Sequence, residues 1–254
     1  MQAVILAGGL GTRLSEETTN QPKPMVKIGD QPIIWHIMKC FSHYGINEFI
    51  ICCGYKGYVL KEYFANYYLH NSDFTIDLKS NTTEILSKQS EDWKITFVDT
   101  GSETQTGGRL KRVSHLIQGT FFMTYGDGVS DLNLKKLCEF HKRHGKEATV
   151  TSVQPPSRFG SIQINDNIVT MFAEKTQEGA SWINGGFFVL EPSVLSRISG
   201  DSIAWENEPI QSLVRDKQLV AFKHYGFWRP MDTLRDKLAL ENVWNKGSAS
   251  WKIW

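Results

Sequence analysis

Ala3-Val4-Ile5-Leu6-Ala7-Gly8-Gly9-Leu10-Gly11-Thr12-Arg13, followed by Pro22-Lys23-Pro24-Met25, is the stretch that decides how this chain folds. The apolar run Ala3 to Ala7 reads as a fully buried strand. Gly8, Gly9 and Gly11 let the backbone turn its N–H groups toward one point, which makes an anion-binding concavity. Arg13 and Lys23 add two cations. A plain Gly-rich turn would form without either of them, so the cations argue for a ligand. The ligand expected of such a loop is a polyphosphate.

Two better-known phosphate loops do not fit. The dinucleotide fingerprint needs G-x-G-x-x-G, and Leu14 stands where its third glycine belongs. The P-loop ends in Gly-Lys-Ser/Thr, a tripeptide this chain lacks. Pro22 and Pro24 also prevent a regular helix from running through the following segment. An extended Pro-Lys-Pro would instead present Lys23 on a stiff piece of backbone.

Composition narrows the partners. The 254 residues can bury a large core in one domain, and 41% hydrophobic with 22% charged residues is ordinary for a globular protein. A net charge of +1 implies neither nucleic acid nor an anionic membrane as a partner. No apolar run reaches membrane-spanning length, and the N-terminus enters a core strand without a basic leader. A cytoplasmic location is expected. Cys40, Cys52, Cys53 and Cys138 contain no C-x-x-C pair, so neither a zinc knuckle nor a redox motif is suggested. Cys52 and Cys53 read as small buried hydrophobes. His141 and His144 lie three apart on an expected helix, which could share a metal but reads better as a solvated face.

Strand and helix alternate along the chain, which argues for an open, mixed, mostly parallel sheet flanked by helices. Expected helices start at Pro32, span Tyr58 to Tyr67, Arg109 to Ile117 and Leu134 to His144, begin again at Pro192, and close with Leu234 to Asn245. Expected strands include Phe49 to Cys53, Thr120 to Tyr125, Thr149 to Val153, Ser161 to Ile164, Ile168 to Phe172, Phe187 to Leu190 and Leu219 to Phe222. Two or three more fall between 74 and 98. The chain reads as one domain, 1–254, with an appended segment from about 192. Trp251 and Trp254 form an aromatic tail that packs on its own domain or on a neighbouring subunit, the first being favoured.

Further motifs carry chemistry. Tyr125-Gly126-Asp127-Gly128 puts Asp127 at the carboxyl end of an expected strand, where open α/β sheets bind ligands. Locally an Asp-Gly turn explains it as well. Asp232, in Phe227-Trp228-Arg229-Pro230-Met231-Asp232-Thr233, could cap the next helix. Thr106-Gly107-Gly108-Arg109 opens a helix with a glycine pair whose backbone could read a base edge or phosphate. Asn184, before Gly185 and Gly186, can bond sugar hydroxyls while the glycines allow close contact. Glu174 and Lys175 read as a charged strand end, with Lys175 a candidate for an acceptor phosphate. No Ser/His/Asp or Cys/His signature is visible.

The whole set resembles the sugar-1-phosphate nucleotidylyltransferase family, on the loop Ala7 to Leu14 with Lys23-Pro24-Met25. The resemblance implies a Rossmann-like fold of the nucleotide-diphospho-sugar transferase type. It implies that Leu6, Ala7, Gly8, Gly9, Leu10, Gly11, Thr12, Arg13, Lys23, Thr104, Thr106, Gly107, Gly108, Arg109 and Gly126 contact the nucleotide. It assigns Asp127 and Asp232 to Mg²⁺, and Glu174, Lys175, Asn184 and Gly185 to the sugar phosphate. Arg13, Lys23, Asp127 and Asp232 would then be the catalytic set. Thr176 departs from the Glu-Lys-Pro that the family usually shows and loosens the backbone beside Lys175. A sugar 1-phosphate has a second pKa near ~6, by analogy with phosphorylated side chains. It is then mostly dianionic at neutral pH and needs no general base, which fits the missing His or Cys catalyst.

The later blocks, Cys52 to Tyr58, Thr106 to Leu110, Tyr125 to Gly128 and Gly226 to Asp232, resemble the members that transfer cytidylyl groups to glucose 1-phosphate. CTP and glucose 1-phosphate would be the partners, CDP-glucose the product, and dideoxysugar and O-antigen synthesis its use. Family members are oligomeric, so a homo-oligomer is expected. A thymidylyl- or uridylyltransferase is the alternative within the class. A non-catalytic nucleotide-sugar sensor is the alternative outside it, and should have lost one of Arg13, Lys23, Asp127 or Asp232.

Overall fold

The computed structural model describes residues 1–87, 90–154, 161–165, 168–173 and 181–254. Seven strands form the central sheet: β1 (Gln2–Ala7), β2 (Glu48–Cys53), β3 (Lys94–Asp99), β4 (Phe121–Tyr125), β5 (Ala148–Val153), β6 (Ile183–Leu190) and β7 (Leu219–His224). Their order across the sheet is β7-β5-β6-β4-β1-β2-β3. All neighbours run parallel except β6, which is antiparallel to both β4 and β5. The sheet is therefore mixed and mostly parallel, as the alternating pattern implies.

β1 lies in the interior of the sheet, between β4 and β2. Successive side chains point to opposite faces. Ala3, Ile5 and Ala7 join one core cluster with Phe49, Ile51 and Cys53, while Val4 and Leu6 join a second with Ile50 and Cys52. Burial on both faces is why this strand reads as an unbroken apolar run.

Helices cover each face. On the first lie α1 (Ile33–His43), α4 (Leu134–His144) and α6 (Leu234–Asn245), contributing Ile33, Ile34, Ile37, Met38, Phe41, Leu137 and Leu240. On the second lie α3 (Thr106–Arg112) and α5 (Glu208–Arg215), contributing Leu110 and Leu213 beside Trp205. α2 (Gly57–Ala65) packs Leu60 on the first face. None of these helices is long and apolar enough to cross a membrane.

Local signals explain the boundaries. The Asn133 side chain accepts from Lys136 N at 2.9 Å to start α4, and Gly145, in the left-handed region at φ 61°, ends it. Thr233 and Asp236 cap α6 reciprocally, so Asp232 is not its cap. Several expectations need correction. The helix expected to run from Arg109 begins at Thr106 and stops at Arg112. α5 is a helix beyond those expected, and Pro192–Arg197 is a 3-10 turn rather than the start of a regular helix. The segment after 192 donates the edge strand β7 to the central sheet.

His141 and His144 do not form a solvated face. Both rings reach the Thr149 hydroxyl, at 2.8 and 2.7 Å, and His141 is buried with its other nitrogen 3.1 Å from Glu191 Oε1. Among the described residues no group of three or more metal-ligating side chains converges. The tail packs on its own chain. Trp251 is fully buried, stacks on Phe227 with centroids 5.2 Å apart, and receives the Cys40 thiol on its carbonyl. Trp254 meets Trp35 edge-on at 5.7 Å.

Candidate active site

The carboxyl end of β1 opens into a cleft of about 440 Å³, a size suited to a small-molecule ligand. It is lined by Leu6 to Arg13, Lys23, Pro24, Ser102 to Thr106, Arg109, Tyr125, Gly126, Asp127 and Asp232. The loop stays open to this space. A Cβ at Gly9 would meet no atom within 4 Å, and Leu10 is an exposed apolar side chain. Gly11 takes the left-handed conformation at φ 65° and lets the chain turn into the short Thr12–Leu14 helix.

Pro-Lys-Pro is extended only at Pro22, and Lys23–Met25 forms one 3-10 turn. That turn buries Lys23 and aims its ammonium at two carboxylates. Lys23 Nζ donates to Asp127 Oδ2 at 2.6 Å and to Asp232 Oδ1 at 2.7 Å. Burial works against the ammonium, but the Asp127 charge and the hydrogen bonds that the ammonium donates to both carboxylates outweigh it and hold Lys23 above its ordinary range. Arg13 Nη1 donates to the other Asp232 oxygen at 3.1 Å from an exposed position.

A two-strand ribbon brings the aspartates together. Gly128–Ser130 pairs antiparallel with Trp228–Pro230, with Gly128 opposite Pro230. Met231 N then donates to Asp127 O at 2.7 Å, so the backbone of Asp127 is fixed to the residue before Asp232. Gly126 allows the close approach of Pro24, whose Cγ would lie 2.9 Å from any Cβ at that position.

A second, smaller cavity of about 240 Å³ adjoins the first and shares Arg13, Tyr125, Asp127 and Asp232 with it. Asn184, Gly185, Gly186 and Trp228 line its other side. The Asn184 amide oxygen accepts from Gly186 N at 2.8 Å, and the Trp228 indole donates to Gly185 O at 2.7 Å. The carboxylate pair therefore lies at the junction of a glycine-loop cleft and a glycine-rich pocket. Glu174 and Lys175 lie outside the described residues.

Arg109 also lines the cleft. It is 4% exposed. Nη1 donates to Cys53 O at 3.1 Å, Thr100 Oγ1 at 2.8 Å and Gly101 O at 2.7 Å. Nη2 donates to Gly8 O at 3.1 Å and Ser102 O at 3.2 Å. The guanidinium thus ties the glycine loop at Gly8 to Gly101 and Ser102. A Cβ at Gly8 would stand 2.1 Å from it. Gly107 and Gly108 do not line the cleft. They are buried, and a Cβ on either would collide with backbone of 201–205, at 2.7 Å from Ile203 O and 2.4 Å from Asp201 O.

Thr104 lines the cleft as a buried hydroxyl residue. Thr106 lines it too and donates to Glu206 Oε2 at 2.6 Å. The other Glu206 oxygen accepts the Tyr125 hydroxyl. Burial, then the Glu206 charge, pushes that hydroxyl well above its usual range, so Tyr125 stays a neutral donor. Sequence reading gave no role to Tyr125 and Glu206. Tyr125 stood inside a motif already singled out, but nothing local marks Glu206 as its partner.

The nucleotidyl transferase family model matches residues 2–233. The chain is 57% identical over 256 residues to the glucose-1-phosphate cytidylyltransferase of Salmonella typhimurium, covering all of both chains. It is 44% identical, again over the full length of both, to a probable glucose-1-phosphate cytidylyltransferase of Bacillus subtilis. Among solved structures, HddC from Yersinia pseudotuberculosis superposes with a TM-score of 0.68 at 23% identity, covering 96% of this chain and 99% of that one. That likeness supports the fold.

Proposed function

The chain belongs to the nucleotidyl transferase family, and on that premise we propose that it transfers CMP from CTP to glucose 1-phosphate, releasing pyrophosphate and forming CDP-glucose. It is an enzyme of the nucleotidyltransferase class. The substrates follow the printed activity of the full-length relatives at 57% and 44% identity. The observation that carries the reading is the meeting of Lys23, Asp127 and Asp232 where the glycine-loop cleft joins the smaller pocket.

An oxygen of the sugar phosphate attacks the α-phosphorus of CTP. The bond to the bridging oxygen of the β-phosphate breaks, and pyrophosphate leaves with the electron pair. No proton is transferred, so positioning and charge neutralisation suffice. The loop 8–13 and Lys23 hold the triphosphate. Asn184 and Gly185 face the sugar, and Lys175 binds its phosphate. Tyr125, held by Glu206, stands between the two halves.

Two carboxylates sharing one cation across 2.6 and 2.7 Å make a donor set that suits a hard divalent ion, for which the ammonium is a stand-in. Asp127 and Asp232 would hold Mg²⁺, which when bound neutralises charge on the phosphates. We further infer that the enzyme works in the cytoplasm as a homo-oligomer and supplies dideoxysugar and O-antigen synthesis.

A pyrophosphate-release assay with CTP, dTTP, UTP, ATP and GTP, each with glucose 1-phosphate, tests this. CTP gives the highest kcat/KM. A preference for UTP or dTTP overturns the cytidine choice, and no turnover with any of them favours a sensor.

A further inference from the structure

Lys23 occupies the position that the metal reading gives to a divalent ion. Its ammonium lies between Asp127 and Asp232, within 2.7 Å of both, and the residue is only 9% exposed. A Mg²⁺ ion bonds oxygen at about 2.0–2.1 Å. It cannot bridge the same two oxygens while the ammonium remains between them, because the two cations would share one space and repel. One ammonium of the protein itself thus already stands against both carboxylates.

The same lysine has a second place to go. Its stem packs beside the glycine loop, where a Cβ at Gly11 would lie 3.2 Å from Lys23 Cβ. It lines the cleft along with Gly9, Gly11 and Arg13. A triphosphate seated on that loop brings fresh acceptors within reach of the ammonium. Moving Nζ from carboxylate to phosphate keeps it ion-paired and takes the ammonium out from between Asp127 and Asp232. Arg13 holds the other Asp232 oxygen from an exposed position.

We propose that Lys23 is an internal counter-ion that closes the Asp127–Asp232 pair to divalent ions until the triphosphate draws it away, so that metal and nucleotide are admitted together. This rests on the assignment of Asp127 and Asp232 as the metal carboxylates. The two ideas fail in different ways. If Lys23 only binds phosphate, its removal weakens nucleotide and leaves metal affinity in the nucleotide-free protein alone. If it guards the carboxylates, removal weakens nucleotide and strengthens metal.

The test is Mn²⁺ binding, followed by electron paramagnetic resonance of the free ion, in nucleotide-free protein. Wild type, Lys23→Met and Lys23→Gln are compared, along with Asp127→Asn alone and combined with Lys23→Met. Both lysine variants are expected to bind Mn²⁺ about tenfold tighter than wild type, the range typical of coupling between two sites. The gain disappears in the double variant. Adding a CTP analogue with a methylene bridge between the α- and β-phosphates tightens Mn²⁺ strongly in wild type and much less in the lysine variants. Equal Mn²⁺ affinity in wild type and both lysine variants, with binding lost in Asp127→Asn, overturns the role of Lys23 and leaves the metal assignment standing. Undiminished Mn²⁺ binding by Asp127→Asn in the presence of the analogue overturns the metal assignment itself. A wild-type measurement covers the case in which the variants do not fold. The Lys23 ammonium resonance in ¹⁵N-lysine-labelled protein should hold its position with Mg²⁺ alone and shift with Mg²⁺ plus the analogue. A shift with Mg²⁺ alone refutes the proposal.

Discussion

Replacing Arg109 by Met separates a structural brace from a ligand contact. The side chain is 4% exposed, and its guanidinium donates five hydrogen bonds, three of them in fully buried surroundings. Methionine has similar reach and fills the space without donors. Two acceptors keep other partners: Cys53 O still receives Thr100 N at 2.9 Å, and Gly8 O still receives Tyr55 N at 3.2 Å. The loss is therefore closer to the net value of the bonds than to the cost of stranding each carbonyl. At about 1 kcal/mol for each of the buried bonds, the variant loses about 3 kcal/mol. In a chain of this size that lowers Tm by about 6–12 °C. Ligand-free calorimetric unfolding reads the stability, and titration calorimetry with CTP reads binding in parallel. Arg109→Met should show the full drop in Tm together with weaker CTP binding, because the glycine loop loses its tie to Gly101 and Ser102. Arg109→Lys should fall between the two, since one ammonium cannot serve both Gly8 and Gly101. An unchanged Tm with lost CTP affinity would refute the brace and make Arg109 a direct contact.

Asp127→Asn should keep the fold and lose turnover, at a cost of at least about 2 kcal/mol in the barrier. Near-normal kcat/KM in this variant rejects its place in the metal site. Lys175→Ala should raise the KM for glucose 1-phosphate and leave that for CTP little changed, and the opposite pattern would exchange the roles of Lys175 and Lys23. His36 supplies a pH dependence. Burial among Trp244, Trp251 and Trp254 drops its pKa to about 4, against an ordinary 6.5. Between these values the unfolded chain binds the extra proton and the native state does not. Stability is thus fully present above about pH 6.5 and falls as the pH drops toward 4, by up to about 3 kcal/mol. Urea unfolding at several pH values should show this slope, and His36→Gln should flatten it.

Sequence reading succeeded where a local rule and the global fold agree. α4 runs from Leu134 to His144 because a cap at Asn133 and a glycine at 145 bound an amphipathic stretch. It failed where packing overrode the local pattern. His141 and His144 look like a wet helix face until β5 places Thr149 between them. The Thr106-Gly107-Gly108-Arg109 block is split by packing, with Thr106 and Arg109 lining the cleft and the two glycines turned away from it. Its glycines are small so that the backbone of 201–205 can approach, and its arginine faces the loop.

By itself the sequence determined that a buried strand opens into a glycine loop with two cations. That follows from residue size, backbone freedom and charge within the first 25 positions, and it was enough to exclude the dinucleotide and P-loop readings. Only the tertiary structure decided what those cations meet. Asp127 and Asp232 are distant in the chain, and a short ribbon between Gly128–Ser130 and Trp228–Pro230 sets them side by side. Lys23 then reads as the partner of both carboxylates as well as a phosphate cation. Spacing along a chain carries no record of such pairings, because they are made by strand registers that close only when the whole sheet has formed.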